Sequence, residues 1–173
     1  DSMPDFSNLS DVQENPSEGL LLRGAHGPIE LLEEASVVDR ELIRRCLDII
    51  VSGQRMDLER FSDKDGSGIR SLSRYEEMDD YAYRVAGSVG EFWTEICLEH
   101  AFEASAEMKE ELMSSGVRFG KALQLINILR DIPEDLEIGR CYIPTDDLEK
   151  IGLSPNDLCL LYTSDAADDV VCV

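Results

Sequence analysis

The chain of 173 residues carries 37 acidic against 16 basic side chains, a formal charge of −21, which excludes nucleic acid as a partner because phosphate backbones are bound by an excess of Lys and Arg. A hydrophobic content of 43% is enough for one globular domain with a sizeable core, and no run of 18 apolar residues marks a membrane span. The five cysteines are odd in number and lack Cys-x-x-Cys spacing, which argues against a disulfide framework or zinc site and sets a reducing, cytoplasmic compartment as the expectation.

In chain order, Asp1-Ser-Met-Pro-Asp5 places two carboxylates four residues apart, although Pro4 inside a helix would remove a hydrogen bond and clash with the preceding turn. Residues 6–28 contain Asn15-Pro16, Gly19, Gly24 and Gly27-Pro28, which predict a loop with at most a short helix near 20–22. Ser36 as N-cap with Asp39 three residues on opens a helix towards Phe61, its apolar positions Val38, Leu42, Cys46, Ile49 and Ile50 recurring at helical spacing. Asp57, near the end of that helix, faces either a cavity or solvent. Asp63 to Gly68 begins like a calcium-binding loop, but Arg74 stands where the bidentate Glu is required, so the segment reads as an inter-helix turn.

From Asp79 to His100 the pattern is helical. Ala82, Ala86 and Gly90 share one face and allow close approach of another helix, while Tyr81, Val85, Ser88 and Phe92 line another. Tyrosines in such positions are ordinarily core residues with a satisfied hydroxyl. Trp93 and Phe102 read as packing residues, and the isolated His26 and His100 suggest neither a metal site nor a triad.

Residues 104–135 predict one long helix, with Gly116 and Gly120 permitting close packing and Pro133 loosening its last turn. On that helix Gln124, Asn127, Asp131 and Asp135 fall within an arc of roughly 80°, flanked by Leu125, Ile128, Leu129 and Ile132. Two partly buried carboxylates four residues apart repel unless a pKa rises or a cation binds. Oxygen donors select a hard ion, and Mg²⁺ takes one or two carboxylates together with water and substrate phosphate. The plainer alternative is a solvated acidic face, disfavoured because the amides extend the stripe and Asp1/Asp5 repeat the spacing. Arg130 lies just off the stripe, within reach of a diphosphate or a neighbouring Glu. After Gly139 a turn sets Arg140 and Tyr142 just beyond it, and Ser154-Pro155 with Asp157 opens a further helix.

Asn127-Ile-Leu-Arg-Asp131-Ile-Pro-Glu134-Asp135 with Gly139-Arg140-Cys-Tyr142, the segment Tyr81-Ala-Tyr83-Arg-Val85-Ala86-Gly87-Ser-Val89-Gly90, and Asp1-Ser-Met-Pro-Asp5 resemble, in order, motifs of the squalene/phytoene synthases. The resemblance covers residues 1–158 and implies an all-α, isoprenoid-synthase-type helical bundle, expected to be incomplete at both ends and inactive alone. Residues 159–173 are expected to be a non-native tail. The implied activity is Mg²⁺-dependent head-to-head coupling of two prenyl diphosphates. The tracts around Asp1–Asp5 and Phe92-Trp93 look more like bacterial squalene synthases, which couple farnesyl diphosphate through presqualene diphosphate and need NADPH. Phytoene formation from geranylgeranyl diphosphate, without NADPH, is the alternative.

By the same resemblance Asp1, Asp5, Asp131, Asp135 and Asn127 hold metal, Tyr81 joins Asp131 and Asp135 in catalysis with Tyr83 a weaker candidate, and Gln124, Asn127, Arg130, Arg140 and Tyr142 bind substrate. The implied partners are prenyl diphosphates, with no obligatory protein partner and with peripheral membrane association allowed. A non-catalytic helical protein binding metal or lipid, and a calcium sensor, are the readings from other classes.

Overall fold

The computed structural model describes residues 5–62 and 68–164, the last four by backbone alone; Asp1 and most of the Asp63–Gly68 turn lie outside the described residues. The chain divides into two compact units, Asp1–Arg44 and Arg45–Val173. In the first, α1 (Ser7–Asp11), α2 (Pro16–Arg23) and α3 (His26–Glu34) replace the loop predicted for residues 6–28. The turn residues that suggested a loop act as helix ends instead. Asn15 caps α2 by accepting from the Ser17 amide at 2.9 Å, with Pro16 at the first helical position, and Gly24 ends it. Gly19 sits so near the Ser10 carbonyl that an added Cβ would lie 3.0 Å from the oxygen, which draws α1 and α2 together.

The helix α4 (Val37–Arg60) starts where predicted, with the Ser36 hydroxyl accepting from the Asp39 amide at 3.0 Å. In the second unit Gly53 lets α4 meet the next helical stretch, since a Cβ there would stand 2.8 Å from that of Arg84. Arg84 reaches Asp80 and the Ser52 hydroxyl, each at 2.9 Å. That stretch is not one continuous α-helix. It runs as α5 (Tyr75–Ala82), a π-helical turn over Tyr83–Gly87, and α6 (Ser88–His100). Extra residues in a π turn alter the register, and the Tyr-Arg-Val-Ala-Gly sequence has no propensity signature that announces it.

The long α7 (Ala106–Arg130) packs on this stretch through small residues, as predicted. A Cβ at Gly90 would collide with the Gly116 carbonyl, and one at Gly120 with the Ala86 carbonyl. The predicted helix to residue 135 is broken, however. α7 ends at Arg130, Asp131 adopts φ −95°, ψ 10°, and α8 (Ile132–Glu137) restarts at once. Pro133 has no amide to donate to the Leu129 carbonyl, which is why the ladder fails at this point.

Gly139, at φ 76°, makes a left-handed turn open to glycine. It delivers β2 (Arg140–Cys141) to pair in parallel with β1 (Arg70–Ser71), in register Arg70 with Arg140. This two-residue bridge has no alternating strand pattern behind it. The helices α9 (Thr145–Glu149) and α10 (Pro155–Ser164) complete the described chain, and Ser154 with Asp157 forms the predicted cap, amide to carboxylate 2.8 Å.

Leu72, Ile128 and Tyr142 make one buried core, against which Phe61, Met78, Tyr81 and Leu125 pack. Leu136, Cys141, Leu148 and Cys159 make another. Cys46, Cys97 and Cys141 are free thiols, whereas Cys159 is disulfide-bonded, a departure from the cysteine reading above.

Candidate active site

The stripe survives the helix break. The Asp131 amide donates to the Asn127 carbonyl and the Asp135 amide to the Asp131 carbonyl, both at 2.9 Å, so the four-residue spacing continues across the junction. Asp131 and Asp135 therefore stand one turn apart, in different environments. Asp131 is half exposed and bound by Arg130 through two contacts of 2.6 and 2.7 Å, which hold its carboxyl below the usual range. Arg130 thus pairs with an Asp rather than with a neighbouring Glu. Asp135 is half-buried; burial first, then the Asp131 charge, push its carboxyl up. The two carboxylates are thus set apart by their surroundings, Arg130 acting on Asp131 and burial on Asp135.

Below Asp135 lies a tight cluster. Asp57 is directed inward, its side chain only 11% exposed, so the open alternative of a solvated charge is corrected. One oxygen accepts from Arg140 at 3.0 Å and the other from the Tyr142 hydroxyl at 2.6 Å. The Tyr142 ring stacks on Tyr81 with centroids 5.0 Å apart and planes at 22°, and meets Phe61 at 5.0 Å in a tilted contact. Arg140 also lies over the Phe61 ring, 5.7 Å from its centroid. Burial raises both phenols, Tyr142 further through its bond to Asp57. Tyr81 and Tyr142 are therefore neutral phenols. Asp135, Arg140 and Tyr142 border one small void with Ile128 and Ile132.

Tyr83 does not join this cluster. Its hydroxyl donates to Glu91 at 2.9 Å, beside the Arg45–Glu95 ion pair, so Tyr81 and Tyr83 serve different neighbourhoods. Trp93, expected as packing, is 66% exposed and lines an apolar groove of about 420 Å³ between α6 and α7 with Val85, Val89, Phe119 and Leu123. Gln124 and Asn127 supply polar side chains to that groove, two turns and one turn before Asp131 respectively. Sequence reasoning missed Phe61 and this groove; the apolar faces of α6 and α7 were the available signal.

Asp5 precedes α1, and its carboxylate accepts from the Ser7 amide at 2.9 Å and the Ser7 hydroxyl at 2.6 Å. It caps its own chain and is not presented from a helix, consistent with Pro4 before it.

The donor set fits Mg²⁺. It is all oxygen, Asp135 bonds no cation among the described residues, and a bound ion would relieve the Asp131–Asp135 repulsion that raises it. Among the described residues no three His, Cys, Asp or Glu side chains converge. No helix among them is long and apolar enough to cross a membrane.

The chain matches the squalene/phytoene synthase family over residues 13–171, a span that starts after the Asp1–Asp5 motif. It is 39% identical over 118 residues to a bifunctional lycopene cyclase/phytoene synthase of Gibberella fujikuroi, covering 68% of this chain and 20% of that one. It is 38% identical to the 15-cis-phytoene synthase of Synechocystis (63% and 31% covered) and 36% identical to the chloroplastic phytoene synthase 1 of Arabidopsis thaliana (80% and 30%). Among solved structures, the squalene synthase HpnC of Alicyclobacillus acidocaldarius superposes with a TM-score of 0.49 at 21% identity, over 80% of this chain and 43% of that one. The chain spans between about a fifth and a third of the length of these curated relatives. With its Asn127-to-Asp135 and Tyr81-to-Gly90 motifs set on packed helices, this chain, whose described elements are helices apart from one two-residue bridge, belongs to the squalene/phytoene synthase family.

Proposed function

We propose that the protein of which this chain is part is a Mg²⁺-dependent prenyltransferase that couples two prenyl diphosphates head to head, with geranylgeranyl diphosphate as substrate and phytoene as product. The observation that carries this reading is the Asp131/Asp135 pair following directly on an apolar groove edged by Gln124 and Asn127. The names of the relatives support the phytoene direction over squalene.

Bound Mg²⁺ would supply positive charge for the diphosphate leaving group. Asp131, Asp135 and the Asn127 amide would hold it. Arg130 is exposed, and its pairing with Asp131 is the weak surface kind, so the guanidinium is available to turn to a diphosphate. Val85, Val89, Trp93, Phe119 and Leu123 would hold prenyl chains and keep water from the allylic cation. Tyr81 presents a neutral phenol, able to stabilise that cation through its ring or to pass a proton. NADPH has no role on this reading.

The test is a coupling assay on the full-length polypeptide with geranylgeranyl or farnesyl diphosphate, with and without Mg²⁺ and NADPH. Mg²⁺-dependent phytoene from geranylgeranyl diphosphate without NADPH is expected. Squalene from farnesyl diphosphate with NADPH would favour the second reading, and no coupling with either would return the protein to a non-catalytic role.

A further inference from the structure

Arg140 borders the same small void as Asp135, and among the described residues the carboxylate it bonds is that of Asp57. Its guanidinium donates to Asp57 at 3.0 Å, while Asp135, bordering the same small void, bonds no cation among the described residues. Both oxygens of Asp57 are used, one by Arg140 and one by Tyr142. The Asp57–Arg140 pair is partly buried, with side chains 11% and 28% exposed, and Phe61 backs the guanidinium. These contacts come from α4, distant in sequence from the acidic stripe.

We propose that Asp57 is a positioning residue for the metal site, holding Arg140 away from Asp135 so that the Asp135 carboxylate stays available to a divalent cation. The inference rests on the reading of Asp131 and Asp135 as metal ligands and goes beyond it by assigning Asp57 and Arg140 a joint role. Once the Asp57 charge is removed, Arg140 has one remaining carboxylate across the void. It then pairs with Asp135 and competes with the metal. A buried guanidinium left without its partner is strongly driven to find another, and residues that act on a metal site through its ligands change metal affinity by about 10- to 100-fold.

The experiment titrates the full-length protein with Mg²⁺ alone and follows the rise in melting temperature and the heat of binding, for the unsubstituted protein, Asp57→Asn, Arg140→Gln and the Asp57→Asn/Arg140→Gln double variant. Asp135→Asn serves as the control without a site. Asp57→Asn is expected to weaken the apparent Mg²⁺ affinity about tenfold or more, and the double variant to restore it to within a few fold. Restoration is what a merely structural role for Asp57 would not produce. Unchanged affinity in Asp57→Asn overturns the proposal, as does a double variant no better than the single. Should Asp57→Asn fail to fold, Arg140→Gln decides: retained affinity supports the proposal, and a tenfold loss overturns it by making Arg140 a helper of the site. An unsubstituted protein with no saturable response to Mg²⁺, equal to Asp135→Asn, fails at the earlier step and removes the metal reading itself.

Discussion

Glu77 offers the most direct test of how the Tyr81-bearing helix is anchored. One of its oxygens accepts from the Ser73 amide at 2.6 Å and the Arg74 amide at 3.3 Å, and pairs with Arg60 of α4 at 2.8 Å. The carboxylate thus caps the first turn of α5 and ties it to α4. The Arg60 bond, followed by the Ser73 amide, brings the carboxyl from an ordinary 4.5 down to about 2. A depression of that size corresponds to about 3 kcal/mol at full strength. The side chains are about a quarter exposed, so screening reduces the expected contribution to about 1–2 kcal/mol. Because the folded value lies below the unfolded one, this stability is present above pH 4.5 and is lost as pH falls towards 2. Urea denaturation of the protein and of Glu77→Gln should differ by about 1–2 kcal/mol at neutral pH, a gap that closes on acidification through that window. An equal gap at neutral pH and near pH 2 would show that the effect is steric and that the pairing contributes nothing.

Three further outcomes are expected. Asp131→Asn and Asp135→Asn should abolish Mg²⁺-dependent coupling in the full-length enzyme while melting within a few degrees of it, and Asp135→Asn should be no less stable at neutral pH because ionising that half-buried carboxyl is costly; unfolding of both would make them structural residues. Tyr81→Phe keeps the ring stacked on Tyr142 and removes the hydroxyl, so a large loss of kcat with little change in melting temperature is expected, and normal turnover would return Tyr81 to the core. Gly120→Val, which drives a side chain into the Ala86 carbonyl, should cost about 3 kcal/mol or more in chemical denaturation, and a cost under about 1 kcal/mol would mean that α7 does not pack closely on the π turn.

Much of this was legible in the sequence because it follows local rules. The Ser36 and Ser154 caps, the small-residue contact of Ala86 and Gly90 with Gly116 and Gly120, and the spacing of Asp131 and Asp135 each depend on residues a turn or so apart or on side-chain size. What was not legible depends on tertiary choice. Residues 6–28 hold the same Asn, Pro and Gly that punctuate loops, and there Asn15 and Pro16 start a helix while Gly19 packs against Ser10. The π turn is compatible with any α-helical sequence whose neighbours reward the extra residue. Asp57 could not be assigned from spacing because its partners, Arg140 and Tyr142, lie more than eighty residues away.

The charge imbalance also bears on the proposed metal site. In a chain with more than two acids for every base, each interior cation must select among several carboxylates, and the selection determines which acids remain for a metal. Around the site those selections are made by the scaffold: Arg60 is taken by Glu77, Arg84 by Asp80, Lys121 by Asp79 and Arg140 by Asp57. Among the described residues only the exposed Arg130 pairs with the stripe, at Asp131, where solvent screening keeps the bond weak. At Asp135, burial and the Asp131 charge push the carboxyl up and outweigh the Arg140 charge, which acts the other way. A cation bound there adds stability in proportion to its affinity, so the helix junction at Asp131–Ile132 should be the part of the fold that tightens most when Mg²⁺ is added.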